Sequence, residues 1–95
     1  MLIRSQNKEH LINFDNVTEI YTYRNIPRNK TTILPKYETD IICYIGRSEI
    51  PIGRYDSEEK AIRVLDMIEK QYLDYCCNYH AQSGVFQMPQ NSEVD

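Results

Sequence analysis

Residues 74–80 read Asp-Tyr-Cys-Cys-Asn-Tyr-His, which places two thiols and an imidazole within five positions of one another. These are the side chains that ligate zinc or carry thiol chemistry. A structural zinc site needs about four nitrogen or sulfur donors in a tetrahedral array. On a helix, Cys76 and His80 lie about 40° apart around the axis, and Cys77 and His80 about 60°. The neighbouring cysteines are about 100° apart, too far around the helix to join His80 easily on one ion. Completing a site would require Cys43 or His10 to arrive from elsewhere in the chain. The expectation is therefore no metal and no cofactor, with Cys76 and His80 as the only weak metal candidates. Cys76 is expected as a small buried residue beside an apolar stripe, Cys77 as a partly exposed thiol and His80 as a cation near the helix C-terminus. Redox use would need a C-x-x-C spacing or a lowered thiol pKa, and the sequence shows neither.

A second group suits binding. From Tyr23 to Glu38 the cations Arg24, Arg28, Lys30 and Lys36 are opposed only by Glu38, and Tyr21, Tyr23 and Tyr37 flank them. Basic residues beside aromatic rings can hold single-stranded nucleic acid by phosphate pairing and base stacking, or can hold an acidic protein. A solvated hairpin loop explains the same residues. Catalytic signatures are missing. The glycines stand apart at 46, 53 and 84, with no phosphate-binding fingerprint, and the histidines stand at 10 and 80. Glu38 and Asp40 have no histidine near them in sequence, so a non-enzymatic protein is expected.

The elements that must position these residues follow from composition and patterning. The chain has 95 residues, 41% of them hydrophobic and 26% charged, which suits one small globular domain with a thin core. A net charge of −3 lacks the basic field of a duplex nucleic-acid binder. The longest apolar run, residues 41–45, is far too short to span a membrane. The N-terminus does not read as a secretory signal. With an odd cysteine count, a cytoplasmic protein with reduced thiols is expected. Eight tyrosines against two phenylalanines and no tryptophan suit half-buried sheet faces.

Strands are expected in "MLIRS", "HLINF", "VTEIYTY", "TTIL", "DIICYIG" and "EIPIGRY". "DIICYIG" is nearly all apolar and should run centrally, and Pro51 points to an edge strand or a bulge. Strict alternation puts Val17, Glu19, Tyr21 and Tyr23 on one face, with Thr18, Ile20 and Thr22 on the other. From Asp56 or Ser57 to His80 an amphipathic helix is expected, with Ala61, Val64, Leu65, Ile68, Tyr72, Tyr75 and Tyr79 on one stripe. "VFQM" should touch the body or add a short strand. The fold expectation is α+β: a predominantly antiparallel sheet of about five strands followed by one long helix packed on it. Residues 1–88 form the domain, and an acidic tail, 89–95, frays.

Three segments together, "MLIRSQNKEHLINFDNV", "GRYDSEEKAIRVLDMI" and "VFQMPQNSEV", resemble a family of short uncharacterised proteins of Gram-positive bacteria and their phages. Its members open with IRSQ-(D/N)-K and carry a later E-K-A-x-x-V-L-D-x-I helix. The resemblance implies a compact α+β domain in a bacterial or phage setting and no catalytic residue. The resulting expectation is a small protein-interaction module, an accessory protein of a phage or mobile element. Its contact candidates are Tyr21, Tyr23, Arg24, Arg28, Lys30, Lys36 and Tyr37, with a protein partner or a symmetric homodimer and no membrane. The alternative is a nucleic-acid-associated protein using the same loop, and a small enzyme or metal protein stands third.

Overall fold

The computed structural model describes residues 1–25, 38–77 and 84–95. Seven regular elements follow one another along the chain: β1 (Leu2–Arg4), β2 (Leu11–Asn13), β3 (Glu19–Asn25), β4 (Glu38–Ile45), β5 (Ser48–Tyr55), α1 (Glu58–Cys77) and β6 (Val85–Gln87). Short 3-10 turns cover Phe14–Asn16 and Asn91–Glu93. The protein is α+β, as expected, but its described strands form two three-stranded sheets, ordered β2-β1-β6 and β3-β4-β5. The expected sheet of about five strands is thereby corrected. The physical reason is that β1 does not extend the larger sheet. It pairs antiparallel with β2 and, on its other side, parallel with β6. "VFQM" does add a strand. "TTIL" lies outside the described residues.

β4 is the central strand of its sheet, and Thr39 to Cys43 are all buried along it. The β4–β5 hairpin turns on Gly46 and Arg47, with Ile45 opposite Ser48. Gly46 has φ +60°, the conformation that the first position of a type II′ hairpin turn requires. β5 lies at the sheet edge and its register slips between Ile41 and Ile42, so that Ile41 opposes Gly53 while Ile42 opposes Pro51. Ile52 is the extra residue of this bulge. It resets the two-residue period, which brings Tyr55 into the core beside Ile52 and turns Arg54 to the other face opposite Asp40. Without it Tyr55 and Arg54 would exchange faces.

One core cluster joins both sheets and the helix. It contains Met1, Ile3, Ile12, Phe86, Met88 and Val94 from the smaller sheet and C-terminal segment. The larger sheet adds Ile41, Cys43, Ile52 and Tyr55, and α1 adds Ala61, Val64 and Ile68. Ser57 caps α1: its Oγ accepts from the Lys60 N–H at 3.2 Å and its carbonyl from the Ala61 N–H. Asp56 is thus released from the capping role. Along the predicted stripe Leu65 and Tyr72 are partly buried, and Tyr72 meets Phe14 with ring centroids 5.0 Å apart. Tyr79 of that stripe lies outside the described residues. Residues Leu73 to Cys76 are all exposed, Tyr75 at 42%. The core that α1 packs on is thus covered by its first four turns, and its last described residues project beyond it.

Residues 89–95, expected as a fraying tail, lie against the body of the domain. Pro89 and Val94 are buried, and Gln90 and Glu93 form a reciprocal capping box around the 3-10 turn. The reason is a set of polar anchors that composition alone does not reveal. The Tyr55 hydroxyl donates to the Pro89 carbonyl at 2.7 Å. Asn91 Oδ1 accepts from the Asp56 N–H, and its Nδ2 donates to the Asp56 carboxylate. Lys60 Nζ reaches both Asp56 and the Asn91 carbonyl. The Asn91 hydrogen bond, with help from Lys60, lowers the Asp56 pKa below its ordinary value.

Candidate functional site

Among the described residues, the Cys/His group does not assemble a metal site. Cys76 is exposed, not buried as expected, because it lies on the overhanging end of α1. The neighbouring Cys76 thiol raises the Tyr72 pKa. Cys43 is fully buried in the core, and burial pushes its thiol pKa up to about 11, which makes it a poor ligand and nucleophile. His10 sits exposed in the β1–β2 loop, and His80 lies outside the described residues. Among the described residues no group of three or more His, Cys, Asp or Glu side chains could hold a metal ion.

The motif segments meet in a seam between the two sheets. Ser5, 1% exposed, accepts from the His10 N–H and donates to Asn7 Oδ1, which also accepts from the Glu9 N–H. This network holds the loop in which Lys8 adopts φ +67°. Gln6 is the hub. Its backbone N–H donates to Ile52, its Oε1 accepts from the Arg54 N–H, and its Nε2 donates to the Arg54 and Pro89 carbonyls. Gln90 returns a bond to the Gln6 carbonyl. Gly53 lies against this seam, and a Cβ there would stand 3.0 Å from Met88 Cε and from the Tyr55 ring. The residues that carry the sequence resemblance therefore bind one another, which is scaffold chemistry.

The face of the larger sheet opposite the helix has a different character. Cross-strand pairing places Glu19, Tyr21, Tyr23 and Asn25 of β3 beside Tyr44, Ile42, Asp40 and Glu38 of β4. On β5 these meet Glu49, Pro51 and Arg54. Ile20, on the other side of β3, packs on the core, and so does Val17, which precedes the strand and departs from the strict alternation with Glu19 and Tyr21. Tyr23 is 56% exposed, Tyr21 and Tyr44 are half-buried, and Ile42 is buried yet outside the core cluster. At one end of this face Arg54 pairs with Asp40 at 2.8 Å and Glu38 at 3.3 Å, and Asn25 also reaches Asp40. The Asp40 hydrogen bond raises the Arg54 pKa further. At the other end Tyr21 donates its hydroxyl to Glu49 at 2.9 Å. Partial burial, this bond and the negative charge of Glu49 and Glu19 raise the Tyr21 pKa.

The predicted contact residues divide accordingly. Tyr21 and Tyr23 share this face. Arg24 points to the other side, where its guanidinium pairs with Glu58 of α1 at 3.2 Å. Arg28, Lys30, Lys36 and Tyr37 lie outside the described residues. Glu19, Ile42, Tyr44, Glu49 and Pro51 were not foreseen as site residues. The Tyr44–Glu49 pairing follows from counting back across a two-residue turn at Gly46-Arg47. The Glu19–Tyr44 pairing depends on a register that no local signal sets. No helix of the described residues is long and apolar enough to cross a membrane. No family model, curated protein or solved structure matches the chain.

Proposed function

We propose that this chain is a small, non-enzymatic protein-interaction module, acting in the cytoplasm as an accessory protein of a bacterial phage or mobile element. The observation that supports an interaction role is the tyrosine face: Tyr21, Tyr23 and Tyr44 stand together on the side of the sheet turned away from the core. Tyrosines supply large, rigid contact area with a hydrogen-bonding tip and are enriched at protein interfaces. The setting rests on the sequence resemblance. A second copy of the chain is one partner that fits, since an isologous contact would cover this face twice.

The nucleic-acid reading keeps the support of the cations at 24–36 and their flanking tyrosines. Against it, the tyrosine face carries Glu19, Glu49, Asp40 and Glu38, and its cation Arg54 is engaged by two of these. That is a poor field for a phosphate backbone. Affinity capture from a bacterial host with the wild-type chain and with Tyr23→Ala separates the readings. A protein retained by the wild type and lost with the variant supports the interaction module. Single-strand binding that weakens steeply with salt and disappears with Arg28→Ala and Lys30→Ala would replace it with the nucleic-acid reading.

A further inference from the structure

We infer that the cleft between Glu19, Tyr21, Tyr44 and Glu49 receives a lysine or arginine side chain presented by a partner protein. This rests on the reading of the tyrosine face as a protein contact and names the chemistry of what it contacts. Glu19, Tyr44 and Glu49 form one row across three strands, each directly opposite the next. Adjacent strands lie about 4.8 Å apart, so the two glutamates flank Tyr44 with backbones about 10 Å apart. Tyr21, in the next row, closes the cleft and orients Glu49 through its 2.9 Å hydrogen bond. The depression is open to solvent and has a volume of about 330 Å3, enough for the end of one long side chain and too little for a globular ligand.

The rest of the molecule supplies the contrast that gives this cleft its sign. On the same face Asp40 and Glu38 already share Arg54. On other surfaces Glu58 has Arg24 and Asp56 has Lys60. Among the described residues, no lysine or arginine pairs with Glu19 or Glu49. Their neighbours are instead two aromatic rings, which attract a cation through their faces when it lies within about 6 Å. Partial burial first, then the Glu49 hydrogen bond and the charges of Glu49 and Glu19, raise the Tyr21 pKa. Two carboxylates and two rings around a narrow cleft complement an ammonium or guanidinium group on an apolar stem. They repel an acidic segment or a phosphate. A lone metal ion is a poorer occupant, because no third ligand joins the two glutamates among the described residues.

The test uses the full chain labelled for amide NMR at low salt, titrated with N-acetyl-arginine amide, N-acetyl-lysine amide and the neutral N-acetyl-glutamine amide. The expected result is saturable shifts at the amides of Glu19, Tyr21, Tyr44 and Glu49 with at least one cationic probe and none with the glutamine probe. Glu19→Gln combined with Glu49→Gln should weaken that binding about five- to tenfold, as expected for two surface ion pairs, with an unchanged melting temperature. Shifts of equal size with the glutamine probe, or shifts the double variant does not alter, would overturn the inference. Self-association that the double variant abolishes would overturn it in favour of a second copy as occupant. A captured partner that is lost with Tyr23→Ala but kept by the double variant would remove the cation and leave the tyrosine face as the contact.

Discussion

The seam around Gln6 and the tyrosine face are both polar regions beside a small sheet, yet they use their side chains in opposite ways. In the seam, Ser5, Gln6, Asn7, Gln87, Gln90 and Asn91 all spend donors and acceptors on the chain itself. Among the described residues, every buried side-chain polar atom has a partner. On the tyrosine face, by contrast, Tyr23 is more than half exposed and the Glu19 carboxylate accepts no described hydrogen bond. Internal satisfaction favours a unique fold, because an orphaned buried polar group costs about 1–3 kcal/mol. Side chains left facing outward contribute little to folding and remain available to a partner. On the proposed reading, architecture and recognition occupy different parts of this 95-residue chain.

If the seam is structural, its loss should cost stability and the face should not. Deleting residues 89–95 carries the largest expected effect. It exposes the site of Val94, worth about 1.5–3 kcal/mol, and orphans the Tyr55 hydroxyl, worth about 1–3 kcal/mol. Chemical denaturation should show a loss of about 2.5–6 kcal/mol, and an unchanged midpoint would restore the frayed tail. Next comes Gln6→Ala, which strips partners from Arg54 and Pro89 and should cost about 1–3 kcal/mol by the same measurement.

Tyr55→Phe should cost about 1 kcal/mol and also change the alkaline limb. Burial raises the Tyr55 and Cys43 pKa values, Cys43 from 9.0 to about 11. A folded acid with a raised pKa resists losing its proton while the unfolded chain loses it readily. The stability that Cys43 contributes is therefore complete below about pH 9 and is lost as pH rises through about 11, while that of Tyr55 is complete below about pH 10 and is lost progressively above it. Thermal melts across that window should fall for the wild type and fall less steeply for Tyr55→Phe. Smallest of all is Tyr23→Ala, expected within about 0.5 kcal/mol of wild type while abolishing partner capture. A large destabilisation there would erase the distinction between the two regions.

Much of the layout was legible because its signals are local. The apolar run at Ile41–Ile45 marked a central strand, Pro51 marked an edge or bulge, and Ser57 with Glu58 and Glu59 marked a helix start. What escaped was set by distant partners. Nothing near "VFQM" says that Ile3 will pair with Phe86, so the two-sheet arrangement stayed hidden. The stripe of α1 predicted burial for Tyr75 and Cys76 because periodicity cannot see where the opposing sheet stops. The polar tail looked unstructured because Asn91 and Gln90 gain their meaning from Asp56 and Gln6. At the candidate site the tyrosines of β3 could be named, but the glutamates beside them could not. Their neighbourhood depends on registers across three strands.

The parallel pairing of β1 with β6 also bears on how the molecule is made. Gln6 finds acceptors and donors 83 and 84 residues further along, at Pro89 and Gln90. On a ribosome, which releases the chain from its N-terminus, the β3–β4–β5 hairpins and α1 can pair as they emerge, whereas β1, ending at Arg4, must wait until Val85 emerges for its second neighbour. Ile3 and Ile12 spend that interval without Phe86 and Met88 to cover them. The smaller sheet is therefore the last part to close and the part most exposed to mispairing in the nascent chain.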